Sequence, residues 1–467
     1  MGSAALALAL AAAQTAAAPV GQLVEGVRCE SDPTQTYTLY LPAAYTKERA
    51  WPALLVFDPG GRSRVAAEVF REAAERHGWL LLSSNDTRNG APPEQNLRAL
   101  TAMWPEAHLR YATDSRRVYA AGFSAGGMLA YELGRRTPGE NGLAGVIASG
   151  ARWEEPLFKQ RIGFPCFGAA GDTDFNYARM RDVHARLREW GTAERLEIFE
   201  GSHEWMPATL AAQAVAWMEL LAIKGGLRKG DEGFVAAQLQ ADLERARALE
   251  ARGAPLAALR TLEQVAATFE GLAPVEGARR ELARLGAVPA LPALQAARRA
   301  ESHWDRYEEN WLRQLGNAYA QLLGVDPPLT AAAFRAAVRI DDLRRQAAAD
   351  GYEGVVGRRL LETLASQTGF YMARELLAKK DHLRARVALG VATEAAPARP
   401  LHWYNLACAQ ARVGARRDAI DSLERAVAAG FEDRARMASD DDLASLREDK
   451  RFQALMQGGA RGALSPP

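Results

Sequence analysis

At 467 residues the chain is too long for one ordinary hydrophobic core, so two or three domains are expected. Its 58 Lys and Arg balance 57 Asp and Glu, which removes the electrostatic case for a nucleic acid or an anionic membrane as partner. Cys29, Cys166 and Cys408 stand far apart in no Cys/His spacing; neither a disulfide framework nor a metal site is expected, and they read as small buried hydrophobes.

The opening segment, MGSAALALALAAAQTAAA (residues 1–18), is almost wholly apolar, short for a membrane span, and rich in the small residues a signal peptidase accepts. It predicts a signal peptide and a secreted or periplasmic protein. No Lys or Arg precedes the apolar run, so a disordered tail on a cytoplasmic protein is the alternative. No other stretch is long and apolar enough to cross a bilayer, and the mature chain is expected to lack an integral membrane span.

From about residue 35 to 225, apolar runs alternate with amphipathic stretches. The runs are TYTLYLP (36–42), PALLVFDP (52–59), WLLLSSN (79–85), RVYAAGF (117–123), AGVIASG (144–150), PCFGAAG (165–171) and LEIFEG (196–201). Each is continuous, and Gly, Pro, Asn or Asp bounds them, as for strands buried on both faces. Helical patterns such as AAEVFREAAERHG and NLRALTAMWPEAHLRY fall between them and supply the crossovers that a mostly parallel sheet needs. A polar, Gly-rich linker, KGGLRKGDEG (224–233), then predicts a boundary between a domain over 22–226 and another over 234–458.

Beyond that linker the strand signal disappears, and Ala, Leu, Arg and Glu recur at helical spacing. A shift of 34 residues aligns Phe370, Ala373, Ala385, Leu389 and Ala392 with Tyr404, Ala407, Ala419, Leu423 and Ala426. The segment 403–431, with Trp403, Leu406, Gly414, Ala419 and Ala426, resembles one tetratricopeptide repeat, and RGAPLAALRTLEQV (252–265) looks like a degenerate copy. Such repeats stack paired helices and often present a surface to a protein partner. The stretch over about 290–350 is helical but too irregular for repeats to be assigned.

Gly122-Phe123-Ser124-Ala125-Gly126 fits the GxSxG nucleophile elbow, placed between the run ending at Phe123 and a helical pattern, MLAYELGRR. The glycines are needed because a tight strand-to-helix turn leaves no room for side chains at 122 and 126. Ala125, directly after the serine, supplies an N–H toward a developing oxyanion. A serine needs a base, and the order serine, acid, histidine is met by Asp172 or Asp174 after PCFGAAG and by His203 after LEIFEG. His77, His108 and His184 fall in helical patterns, and His303, His382 and His402 belong to the helical half, which leaves His203 by elimination.

These motifs make residues 22–225 resemble the compact α/β-hydrolases, such as feruloyl esterases, polyhydroxybutyrate depolymerases and dienelactone hydrolases. The resemblance implies an α/β-hydrolase fold followed by an all-α tetratricopeptide-like domain, and a serine esterase with Ser124, Asp174 and His203 as triad. Asp174 is favoured because the family acid usually stands three residues after the glycine closing its strand, here Gly171. Where many members carry His-Gly, this chain reads Phe57-Asp58-Pro59-Gly60-Gly61-Arg62; Pro59 has no N–H, so Gly60 or Gly61 is expected to complete the oxyanion hole. The short stretch 151–164 leaves little room for a cap, and Phe123, Trp153, Phe175, Tyr177 and Trp205 are candidate pocket walls. The expected substrate is a small-molecule or polymer-borne ester, with no cofactor and no metal. A peptidase of prolyl-oligopeptidase kind and an inactive scaffold are the alternatives, the former weakened by the absence of a propeller or lid.

Overall fold

The computed structural model describes residues 19–153, 161–287, 292–324 and 329–457. The 1–18 segment and part of the 151–164 stretch lie outside the described residues. The chain divides into two compact units, 1–300 and 301–467.

The first unit is built on one eight-stranded sheet: β1 (Leu23–Arg28), β2 (Thr36–Tyr40), β3 (Trp51–Phe57), β4 (Leu80–Ser84), β5 (Thr113–Phe123), β6 (Gly145–Ser149), β7 (Cys166–Gly171) and β8 (Glu194–Phe199). The spatial order is β1-β2-β4-β3-β5-β6-β7-β8. β2 runs antiparallel to both of its neighbours, and every other pairing is parallel. This is the α/β-hydrolase fold. All seven runs read from the sequence form strands; β1, half exposed and without a continuous apolar run, is the additional one.

Alternation along the central strands splits the core in two. Ala53, Leu55 and Phe57 face one cluster of buried side chains, while Leu54 and Val56 face another, so both sides of the sheet need a helical cover. That cover comes from α1 (Ser63–His77), α2 (Pro93–Leu109), α3 (Ala125–Arg136), α4 (Tyr177–Glu189) and α5 (Ala208–Lys224). The strand after β3 pairs on one side of it and β5 on the other, so the connections diverge at β3. Open α/β sheets bind ligands outside the C-terminal strand ends at such a switch point.

The expected boundary at 226–234 falls inside the first unit. Three further helices, α6 (Glu232–Ala251), α7 (Pro255–Phe269) and α8 (Glu276–Ala287), group with the sheet. Leu220 of α5 is buried with Val235, Ala258, Leu262 and Val265, and Trp217 Nε1–H donates to Thr268 Oγ1 at 3.1 Å. Arg195 of β8 reaches both carboxylate oxygens of Asp242 in α6 at 2.9 Å, so α6 is bonded to the edge strand. The 224–233 stretch is itself tied down by Arg228, which bonds Glu219 at 2.8 Å and Asp231 at 3.2 Å. The 252–265 copy therefore belongs to a helix packed against α5 of the hydrolase unit.

The second unit is all helical among its described residues. The 33-residue α9 (Pro292–Gly324) leads into it, followed by α10 (Ala331–Val338), α11 (Ile340–Ala347) and α12 (Gly351–Ser366). A π-helical turn at Gln367–Met372 continues into α13 (Ala373–Ala378), and α14 (His382–Ala395), α15 (Pro400–Arg412) and α16 (Arg416–Ala428) come next. The starts of α14 and α16 are separated by the 34-residue shift seen in the sequence. Ala385, Leu389 and Ala392 are buried, as are their counterparts Ala419, Leu423 and Ala426, whereas Phe370 is exposed and its counterpart Tyr404 is buried. No helix among the described residues is long and apolar enough to cross a membrane. All three cysteines are free and buried.

Candidate active site

Ser124 stands between β5 and α3 with φ 51° and ψ −122°, a left-handed backbone that a non-glycine residue adopts only under constraint. The constraint is visible on both sides. A Cβ at Gly122 would run into the backbone of Gly126 and Gly127, and one at Gly126 would run into the carbonyl oxygen of Phe57. Ala125 opens α3, so its N–H is one of the donors that no helical carbonyl can reach, and the positive end of the helix dipole lies beside Ser124 Oγ.

His203 follows β8 and Asp174 follows β7. His203 Nε2 lies 2.9 Å from Ser124 Oγ, and His203 Nδ1 lies 2.9 Å from Asp174 Oδ1. The Asp174 side chain is fully buried. Its Oδ1 also accepts the Asn176 N–H at 2.7 Å, and Asn176 Nδ2 donates to Gly150 O at 2.7 Å. Gly150 has φ +54°, and a Cβ there would stand 2.6 Å from Asp174 Oδ2 and 3.1 Å from His203 Nδ1. Only glycine leaves space for this pair. Asp172, the competing acid, accepts from the Gly201 N–H at 3.2 Å and supports the turn ahead of the histidine.

The histidine loop is fixed from two further points. Ser149, at the end of β6, donates from Oγ to Glu204 O at 3.2 Å and accepts from the Met206 N–H at 3.0 Å. Trp205 Nε1–H donates to Asp58 Oδ2 at 2.8 Å. Asp58 is wholly buried and also accepts from the Gly60 N–H at 2.8 Å, the Arg62 N–H at 3.2 Å and the Arg62 guanidinium at 2.9–3.0 Å. Burial alone would raise its pKa; the bonds from Arg62, Trp205 and the two amides outweigh that and hold it below the usual carboxylate range.

Gly60 and Gly61 therefore stand differently from the sequence expectation. The Gly60 N–H is directed to Asp58 Oδ1 and the Gly61 N–H to Asp58 O at 3.1 Å, so both amides are engaged within their own turn. Of the five aromatic candidates, Phe123 and Phe175 lie against the imidazole, with ring centroids 4.6 and 4.0 Å from that of His203, and Trp205 lies tilted against Phe123 at 5.8 Å. Trp153 is buried in the core against Tyr131 and Trp190, and Tyr177 is buried at the start of α4. Asp58, Ser149, Gly150 and Asn176 are the site residues that sequence reasoning missed. Asp58 was visible as the residue replacing the expected histidine; the other three had no motif.

No protein-family model and no curated protein matches the sequence. Among solved structures, the chain is similar to a thermostable esterase at 16% identity and a TM-score of 0.36, over 43% of this chain and 63% of that one. It is similar to a ferulic acid esterase at 18% identity and a TM-score of 0.34, over 42% of this chain and 95% of that one. It is also similar to an esterase of Pyrobaculum calidifontis at 14% identity and a TM-score of 0.35, over 46% of this chain and 91% of that one.

Proposed function

We propose that the chain is a serine hydrolase that cleaves carboxylic esters through an acyl-enzyme. The observation that carries this reading is the continuous path of hydrogen bonds from buried Asp174 through both nitrogens of His203 to Ser124 Oγ, at the strand ends where the fold binds ligands. In this reading His203 Nε2 accepts the serine proton as Oγ attacks the ester carbonyl carbon, and the carbonyl electron pair moves onto oxygen. The Ala125 N–H and the α3 dipole stabilise that charge. Collapse expels the alcohol, to which the imidazolium returns the proton. A water then repeats the sequence on the acyl-enzyme and releases the acid. Asp174 holds the imidazole tautomer and stabilises its charged form without itself being protonated. Gly60 or Gly61 becomes a second oxyanion donor only when its N–H turns from Asp58 to the substrate. Phe123 and Phe175, both against the imidazole, suit an apolar acyl or aryl group.

The 34-residue offset of α14 and α16 supports reading the second unit as tetratricopeptide-like, with a protein as its partner. Residues 1–18 support export of the mature enzyme. The hydrolase reading is tested by exposing the chain and its Ser124→Ala variant to a fluorophosphonate, beside a panel of p-nitrophenyl esters and a p-nitroanilide peptide. Ser124-dependent labelling with ester turnover is expected. Absence of labelling in the native chain would sink the reading, and faster turnover of the anilide would make it a peptidase.

A further inference from the structure

Two guanidinium groups border the turn after β3, and they are treated differently. Arg62 is neutralised by Asp58, with bonds of 3.0 and 2.9 Å. Arg88, in the loop after β4, is placed just as firmly but without a counter-charge. Its backbone N–H donates to Asn96 Oδ1 and its carbonyl accepts from Asn96 Nδ2, both at 2.9 Å, so α2 clamps the residue from both sides. Its Nη1 donates to the carbonyl oxygens of Asn85 at 2.6 Å and Thr87 at 2.8 Å. The guanidinium rests on Gly61, where any Cβ would collide with Nη1 and Cζ. The loop is joined to the same turn by the Asn89 N–H to Pro59 O at 2.7 Å and by Thr87 Oγ1 to Asp58 O at 2.9 Å.

Carbonyl oxygens aim a guanidinium but do not cancel its charge. Among the described residues no carboxylate pairs with Arg88, and its Nε and Nη2, the edge that grips a carboxylate side-on, have no partner. Its position in the sheet gives the charge a direction. β4, β3 and β5 are consecutive neighbours, so the loop that carries Arg88 leaves the sheet two strands from the one that ends in Ser124. Asp172, Asp174 and Glu204 follow β7 and β8, on the opposite side of the serine.

We infer that Arg88 is a specificity-determining residue, and that the ester cleaved at Ser124 bears a carboxylate at its far end, several bonds from the scissile carbonyl, as in a half-ester of a dicarboxylic acid. The inference rests on the hydrolase reading and adds a substrate class to it.

The test compares the mono-p-nitrophenyl esters of glutaric, adipic and suberic acid with neutral p-nitrophenyl esters of matched length, in the native chain and in Arg88→Gln and Arg88→Lys. In the native chain kcat/KM is expected to favour the anionic ester by about tenfold at low ionic strength, and less as salt is raised. The anionic-to-neutral ratio should fall to about one in Arg88→Gln and to an intermediate value in Arg88→Lys, which keeps the charge but loses the fork. Because each ratio is taken within one protein, partial misfolding does not alter it. No preference in the native chain, or a variant that slows both esters equally, would overturn the inference and leave Arg88 a loop brace. Fluorophosphonate labelling separates the two failures: a chain that labels at Ser124 but shows no preference loses only this inference, and a chain that does not label loses the hydrolase reading as well.

Discussion

Trp205 Nε1–H donates to Asp58 Oδ2 at 2.8 Å, joining the loop that carries His203 to the turn after β3 across 147 residues of sequence. One buried carboxylate therefore sets two parts of the site, since Asp58 also holds the Gly60 and Arg62 amides. Misplacing a catalytic group by about 1 Å can cost about a hundredfold in rate. Asp58→Asn should accordingly lower kcat by about ten- to a hundredfold with a smaller change in KM. Trp205→Phe, which keeps the ring against Phe70 and Phe123 but removes the donor, should lower it less. The double variant should fall short of the product of the two effects, with a coupling of about 1 kcal/mol. Strict additivity in kcat would show that the bond does not position the histidine.

The contacts of the two neighbouring acids give opposite expectations for them. Asp174→Asn keeps the shape but removes the charge beside His203 Nδ1, so turnover should drop by up to about four orders of magnitude, as in the serine-protease case from which that figure is taken. Asp172→Asn weakens a bond to the Gly201 amide and leaves the His203 Nδ1 partner in place, so it should cost about tenfold or less. Both variants are to be measured on one activated ester, and the reverse ranking would transfer the acid's role to Asp172.

Ser124→Ala should abolish turnover with the fold intact, and His203→Ala should cost about as much, because members of a triad act as a unit. Residual activity above trace in Ser124→Ala, or a loss of only a few-fold in His203→Ala, would point to another nucleophile or base. Labelling by a fluorophosphonate under the same conditions supplies the control.

The helices at 232–287 make the length of the first unit testable. A chain ending at 226 loses the partners of Leu220, the Trp217 bond to Thr268 and the Asp242 partner of buried Arg195. It should aggregate or melt well below a chain ending at 300, which retains all of them and should unfold in one transition. Equal melting temperatures for the two would mean that α6 to α8 add nothing to the sheet.

Much of this was readable in the sequence because burial on both faces writes a continuous apolar run. Leu54, Leu55 and Val56, or Leu80 to Leu82, admit no other reading. β1 was not, since at the sheet edge Glu25, Gly26 and Arg28 are not buried and the run is broken. Strand direction was not either, and nothing in TYTLY marks β2 as antiparallel. The elbow and the histidine came from local spacing, whereas Asp58 could not be assigned because its partner Trp205 is distant in the chain. The packing beyond the expected boundary was hidden for a related reason: the Ala and Leu pattern of α6 and α7 gives a buried face without saying that Leu220 of α5 lies against it. A Gly-rich linker looks the same whether it is free or, as with Arg228 and Glu219, bonded down.

His402 provides a pH-dependent test confined to the second unit. It lies buried on α15, where burial, and then the nearby Arg399, lower its pKa from 6.5 to about 4. The protonated form is therefore disfavoured in the folded unit and free to form in the unfolded chain. Above pH 6.5 both states are neutral at this position and stability is complete. As pH falls from 6.5 toward 4 the unfolded chain binds a proton that the folded unit does not, so stability falls, by up to about 3 kcal/mol over the window. His402→Leu removes the titrating group and should flatten that part of the profile. The measurement is urea unfolding, followed by a probe in the helical unit, of native and variant chains between pH 4 and 8. The native midpoint should decline below 6.5 while the variant's stays level, and parallel profiles would show that His402 carries no such linkage.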